Sequence, residues 1–191
     1  YAQTGYQEGG PEAYLKHLAE LRKKREQRDE ALAAASKLEG VAKAKALLNA
    51  IGEFPDALVD SFYEDVTKDI IASDPEDETG FSKAREYRGA VASYEERMEK
   101  HFVAQDFDGD IKEADTFIDE HDPSGFDKQH VLMGKAMAVV EKGDKTVALA
   151  LLDEIKAIAP ESEIGSQVGM MKERVSAYLD QKNAPQPADS Q

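Results

Sequence analysis

Hydrophobic side chains recur at intervals of three, four and seven residues along most of the chain, which is the spacing of an α-helix with one buried face. Two neighbouring segments show it clearly, the first with Val41, Ala44, Leu47, Leu48 and Ile51, the second with Leu58, Val59, Phe62, Tyr63, Val66 and Ile70. A glycine and proline corner at 52–55 separates them, and an acidic loop at 74–80 follows. The pattern predicts a helical hairpin.

Longer helices are predicted on both sides of this hairpin. One covers residues 11–39, begins with Pro11, which the first turn of a helix tolerates, and has a polar middle with a basic cluster at 22–28. This cluster is either a recognition patch or the solvated middle of a helix packed at both ends, and we favour the second interpretation. Another helix starts at Phe81, and its buried face is predicted to carry Ala84, Tyr87, Val91, Tyr94, Met98 and Phe102.

Two similar segments lie farther along the chain. Gly109 and Gly143 are 34 residues apart, and so are Ala114 and Ala148, which is the period of a tetratricopeptide helical hairpin. In the second segment the residue pattern of that repeat falls on Leu132, Lys135, Ala136, Val139, Ala148, Leu152 and Pro160, with Lys135 as the departure. In the first it falls on Met98, His101, Phe102, Gln105, Ala114 and Ile118. Pro123 lies three residues before the position at which the repeat has its proline.

The region 95–160 therefore resembles a pair of tetratricopeptide repeats, one well matched and one degenerate. The resemblance implies antiparallel helices and a groove that binds a partner protein. A last helix carries Ile164, Val168, Met171, Val175, Tyr178 and Leu179 on one face, which is typical of a cap on the end of a stack.

The segment 1–10 is short and aromatic and ends in two glycines, which predicts a strand and a turn. With the helix that follows Pro11, residues 1–21 resemble the last strand and C-terminal helix of thioredoxin-like domains, which precede helical repeats in some bacterial envelope proteins. No counterpart of the cysteine redox motif of that family is present. The resemblance implies a location in the bacterial periplasm or cell envelope. The chain begins at Tyr1 rather than Met, so we interpret it as a processed protein or a piece of a longer one.

Composition narrows the classes of partner. The 191 residues include 24 Lys and Arg against 39 Asp and Glu, and the net charge of −15 disfavours nucleic acid and anionic lipid surfaces. No apolar run approaches the roughly 18 residues that span a bilayer, so no membrane insertion is expected. Cysteine is absent, which excludes disulfides, thiolate chemistry and sulfur-bound metals within this chain.

The candidate metal ligands are Asp106, Asp108 and Asp110, which resemble the start of a calcium loop. The sixth and twelfth positions of such a loop require Gly and Glu, and here they hold Ile111 and Phe117. Acidic residues also favour the first turn of a helix, and we prefer this explanation. The four histidines have no zinc-site spacing, and no nucleophile or phosphate-loop motif is present.

The sequence thus predicts an all-α protein of antiparallel helical hairpins, TPR-like or α-solenoid-like, after a short strand remnant. The predicted divisions are residues 1–10 as the remnant, 11–39 as a linking helix, 40–182 as a repeat-like domain and 183–191 as a disordered tail.

For function, we expect a non-catalytic protein-interaction or scaffold module without cofactor. The predicted partner-binding residues are Gln129, Met133, Met137 and Val140. Ala136 is a further candidate for the same groove, although some of these five residues must belong to the core. The alternatives are a spacer or homodimerisation element, and a helical enzyme or metal-binding protein.

Overall fold

The computed structural model describes residues 4–53 and 60–184, and every regular element in these two ranges is an α-helix. The eight helices are α1 (Thr4–Ala35), α2 (Gly40–Glu53), α3 (Asp60–Ser73), α4 (Phe81–Val103), α5 (Phe107–His121), α6 (Gly125–Lys142), α7 (Lys145–Ile158) and α8 (Glu163–Lys182). The predicted all-α class of helical hairpins is confirmed.

The strand predicted for residues 1–10 is wrong over the described part of that segment. Helix α1 begins at Thr4 and contains a kink at Gly10, where φ is 70°. A lone strand has no partner for its backbone N–H and C=O groups, whereas a helix pairs them within the segment. The predicted helix start at Pro11 therefore corresponds to the end of this kink.

The chain divides into two compact units, Tyr1–Glu86 and Tyr87–Gln191, and this division lies at a different point from the predicted domains. In the first unit, the buried core contains Ala35, Ala44, Leu47, Val66, Ile70 and Phe81. The predicted hairpin is therefore present as α2 and α3, while Pro55 of its corner and Leu58 and Val59 of its second predicted segment lie outside the described residues.

In the second unit, aromatic and aliphatic side chains form two adjoining clusters. Tyr94 and Phe117 pack with ring centroids 4.8 Å apart, together with Ala114 and Val131. The second cluster joins α6, α7 and α8 through Leu132, Ala136, Val139, Ala148, Leu151, Leu152, Ile155, Val168 and Leu179. The predicted packing positions Ala136 and Ala148 are thus core residues.

The turn after α4 has a defined hydrogen-bond pattern. Gln105 N–H donates to the Phe102 carbonyl over 3.0 Å, and Asp106 N–H donates to the His101 carbonyl over 2.9 Å. This is the pairing of a Schellman turn, and Gln105 has the left-handed φ of 56° that it requires. The Asp106 carboxylate then caps α5 by accepting from Gly109 N–H.

The turn after α6 has the same pattern. Gly143 N–H donates to the Val140 carbonyl over 2.9 Å, and Asp144 N–H donates to the Val139 carbonyl over 3.2 Å. Gly143 has φ 86°, and the Asp144 carboxylate caps α7 by accepting from Val147 N–H. The two turns are therefore equivalent in structure.

The shift that relates these turns is 38 residues, from Asp106 to Asp144. Gly109 lies inside α5 and corresponds to Val147, so the 34-residue match with Gly143 is not the structural period, and that prediction is wrong. The same 38-residue shift pairs Tyr94 with Leu132, Phe102 with Val140, Phe117 with Ile155, and Asp110 with Ala148.

The described chain extends two residues, Asn183 and Ala184, into the predicted tail. Asn183 caps α8, and its side-chain amide donates to the Gly143 carbonyl over 3.0 Å. This contact ties the end of α8 to the turn between α6 and α7. The rest of the predicted tail, residues 185–191, lies outside the described residues.

Candidate functional site

The second unit carries an apolar groove of about 310 Å³ between α4, α6 and α8. Its wall is formed mainly by hydrophobic side chains, and we call it the methionine groove. These side chains are Phe102 from α4, Met133, Met137 and Val140 from α6, and Met171 and Val175 from α8.

Most of the predicted partner-binding residues lie together in the methionine groove. Met133, Ala136, Met137 and Val140 are all part of its wall, because residues three, four and seven apart share one face of a helix. Met137 is 53% exposed. The sequence pattern therefore located one wall of the groove.

Gln129, which was predicted to bind a partner together with them, lies in the core and does not belong to this surface. Its side chain is 0% exposed, and its amide donates to the Ile155 carbonyl over 2.8 Å and to the Ala159 carbonyl over 3.1 Å. The Ser162 hydroxyl lies 2.8 Å from Gln129 Oε1 and accepts from Gly165 N–H at the start of α8. Gln129 therefore joins α6 to the end of α7 and the cap of α8.

Three groove residues were assigned to the core from the sequence. Phe102 is 50% exposed because it lies in the last turn of α4. Met171 and Val175, from the predicted capping stripe, are partly buried and face the groove. The 38-residue register is the sequence signal for Phe102, since it places this residue at the position of Val140.

A smaller chamber of about 210 Å³ adjoins the methionine groove and shares Phe102 and Met137 with it. We call it the Asp110 chamber. Its walls contain Met98, Glu99, Phe102, Asp110, Gly134 and Met137. The chamber therefore places acidic groups beside an otherwise apolar surface.

Asp110 is the unusual group of this chamber. Its side chain is 1% exposed, and neither carboxylate oxygen has a hydrogen-bond partner among the described residues. Burial raises the pKa of Asp110, the nearby His101 opposes this shift, and the Asp106 carboxylate adds to it. The carboxylate is therefore held in a site that does not satisfy it.

The three candidate calcium ligands have separate roles. Asp106 caps α5 and lies 2.8 Å from His101 Nδ1, and the Gly109 N–H, followed by His101, lowers the pKa of Asp106. Asp108 pairs with Lys142, while Asp110 is buried in the chamber. Within residues 4–53 and 60–184, no group of three or more acidic or histidine side chains is arranged to hold a metal ion.

Lys135, which departs from the repeat pattern, is explained by an ion pair. Its ammonium lies 2.5 Å from the Asp115 carboxylate on α5. A second polar pair joins α4 to α6, where the Tyr87 hydroxyl donates to Asp127 over 2.9 Å. Burial, and then this hydrogen bond, raise the pKa of Tyr87 to about 12.

Comparison of the chain with protein-family models, with curated proteins and with solved structures finds no match in any of the three. In the part of the chain that the structure describes, no helix has the length and apolar character needed to cross a membrane.

Proposed function

We propose that this chain is a non-catalytic protein-interaction module that binds a helical segment of a partner protein in the methionine groove. The observation that carries the proposal is the continuous apolar wall in which Met137 and Phe102 are about half exposed. Contiguous exposed apolar surface marks binding sites in proteins of this size. Methionine side chains also adapt to the shape of a bound apolar face.

The dimensions of the methionine groove favour a helix as the bound segment. Its α6 wall runs from Met133 to Val140, a distance of about 10 Å at 1.5 Å per residue. That length matches about two turns of a partner helix, which would contribute apolar residues spaced three, four and seven apart.

A finer proposal is that the second unit is a TPR-like pair of hairpins. The equivalent turns after α4 and α6 support it, whereas the 38-residue shift differs from the tetratricopeptide period. A thioredoxin-like domain upstream, in a bacterial periplasmic or envelope protein, is also proposed. This proposal rests on the helix after Gly10 alone. The coding sequence upstream of Tyr1 tests it: a cysteine-containing strand and helix there would support the proposal, and their absence would contradict it.

Selection of helical peptides from a displayed random library tests the binding function on the full chain. We expect the selected peptides to share apolar residues at helical spacing and to lose at least about tenfold in affinity with Met137→Glu. The matched control is Met170→Glu, since Met170 is 50% exposed on α8 and lies outside the groove wall. Equal binding to both variants would contradict the proposal.

Sedimentation velocity separates a partner helix from a second copy of this chain as the occupant of the groove. We expect a monomer mass that is independent of concentration. A tight dimer that Met137→Glu dissociates and Met170→Glu preserves would assign the methionine groove to self-association, and the adaptor function would then be wrong.

A further inference from the structure

Asp110 occupies the position that corresponds to a small apolar core residue in the following hairpin. In the 38-residue register it corresponds to Ala148, which is 0% exposed between α6 and α7. The chain instead buries a carboxylate there and supplies neither oxygen with a hydrogen bond from the described residues. A buried polar group without a partner costs free energy, so a role in packing does not explain Asp110.

The groups around Asp110 do not neutralise it. His101 lowers the pKa of Asp110, but its Nδ1 lies 2.8 Å from the Asp106 carboxylate. Glu99 adds a second acid to the chamber wall. Arg174 and Glu141 line the methionine groove, and the whole chain has a net charge of −15. The chamber thus combines two acidic groups with apolar walls and is complementary to a cation.

We propose that the Asp110 chamber receives a lysine or arginine side chain from the partner helix that occupies the methionine groove. This inference rests on the proposed function and specifies the partner as an amphipathic helix with one basic residue beside its apolar face. The aliphatic part of a lysine or arginine would pack against the methionines, and its charged end would donate to Asp110. Met98 and Met137 have the unbranched side chains that can move to admit it.

The folded protein already bears the free-energy cost of burying the Asp110 carboxylate. A cation that enters the chamber gains a charge-assisted hydrogen bond to a carboxylate that has no hydrogen-bond partner among the described residues. An uncharged side chain of the same length gains only the apolar contacts. The chamber therefore discriminates between partner helices by one charge.

A set of three synthetic peptides on the full chain tests this inference. Each is a short amphipathic helix with leucines spaced three, four and seven residues apart. The three peptides differ at one position beside this apolar face, which holds Lys, Gln or Glu. We expect the Lys peptide to bind on the order of 30-fold more tightly than the Gln peptide, and the Glu peptide to bind most weakly. Fluorescence anisotropy measures the three affinities.

Protein variants locate the effect. Asp110→Asn should remove the preference for Lys over Gln, and Asp119→Asn, an equal charge change on the exposed side of α5, should preserve it. A double-mutant cycle between the peptide and Asp110 gives the coupling directly. If the role of Asp110 were merely structural, Asp110→Asn would melt at a lower temperature and would lose the same affinity for all three peptides. We expect Asp110→Asn to melt no lower than the unchanged protein.

The outcomes separate the inference from the proposed function. Equal binding of the Lys and Gln peptides, with both lost in Met137→Glu, would overturn the role of Asp110 and leave the groove as a binding site. Absence of binding by all three peptides would also overturn the inference, while the library selection decides the groove on its own. A Lys preference that persists in Asp110→Asn would assign the cation to other acids and contradict the proposal.

Discussion

Asp110 shows at the scale of one residue how binding and stability can oppose each other. Its buried carboxylate lacks a partner, so Asp110→Ala should raise the free energy of unfolding by about 1–3 kcal/mol at neutral pH. The control Asp119→Ala introduces the same helix-favouring residue at an exposed position of α5. Urea denaturation of both variants measures the difference, and a loss of stability in Asp110→Ala would contradict this prediction.

The effect should depend on pH with a defined sign. Because burial raises the folded-state pKa of Asp110 above its ordinary value of 3.8, the folded protein holds this proton more tightly than the unfolded chain. The resulting stabilisation is full below 3.8 and is lost as pH rises through the folded-state pKa. The advantage of Asp110→Ala should therefore widen from acidic to neutral pH, and a constant difference would exclude this titration as its cause.

Gln129 has the opposite character, since all its polar atoms are used. Gln129→Leu leaves the Ile155 and Ala159 carbonyls without their amide donor, so it should lower the free energy of unfolding by about 1–3 kcal/mol. Gln167→Leu, on the exposed side of α8, serves as the control. The denaturation midpoints of Gln129→Leu and Gln167→Leu measure the two effects. An equal change in both variants would show that the buried amide contributes nothing to the stability of the folded protein.

The turns after α4 and α6 give a prediction at the scale of elements. Both need a left-handed residue, which costs a residue other than glycine roughly 1–2 kcal/mol. Gln105→Gly should therefore stabilise the protein by about 1 kcal/mol, and Gly143→Ala should destabilise it by at least that much. Circular dichroism melts of the two variants measure these shifts.

Gly89→Ala supplies the control for these turns. Gly89 lies within α4 with open space around it, so an alanine there should stabilise the helix by about 1 kcal/mol. Loss of stability in Gly143→Ala with a gain in Gly89→Ala would attribute the loss to φ. A gain of stability in Gly143→Ala as well would contradict the requirement for a left-handed residue in that turn.

Helical periodicity predicted the elements well because the buried faces are built locally. It failed where the deciding contacts are distant in sequence or belong to the backbone. The amide of Gln129 finds carbonyls 26 and 30 residues away, so its polarity resembled exposure. Gln105 adopts the left-handed conformation without being glycine. The structural counterpart of Gly143 is therefore not a glycine, and aligning Gly143 with Gly109 gives the wrong period.

The site was only half predictable for a similar reason. The α6 wall of the methionine groove follows from spacing on a single helix. Phe102, Met171 and Val175 join it from other helices, and a one-face pattern cannot tell core from groove wall. The burial of Asp110 depends on the packing of α5 against α4 and α6, which the acidic segment 106–110 does not encode by composition.

Charge is the property that acts over the whole molecule. Several lysines are already paired across helices, for example Lys145 with Asp180 at 2.6 Å and Lys172 with Asp153 at 2.6 Å. The remaining acids leave the net charge at −15. Self-repulsion of this kind destabilises the compact state, while exposed ion pairs contribute little.

Raising the salt concentration should therefore stabilise the folded protein and weaken its binding to a cationic helix. Between about 0.01 M and about 0.15 M salt the screening length falls from about 30 Å to about 8 Å, which reduces repulsion among the exposed acids. We expect the melting midpoint to rise by roughly 2–4 °C, equivalent to about 1 kcal/mol, while the affinity for the Lys peptide falls. Replacing the exposed Asp119 and Glu120 by lysine should reduce both salt effects, because it removes part of the excess charge that causes them. A midpoint that falls with salt would instead mean that the ion pairs outweigh the repulsion.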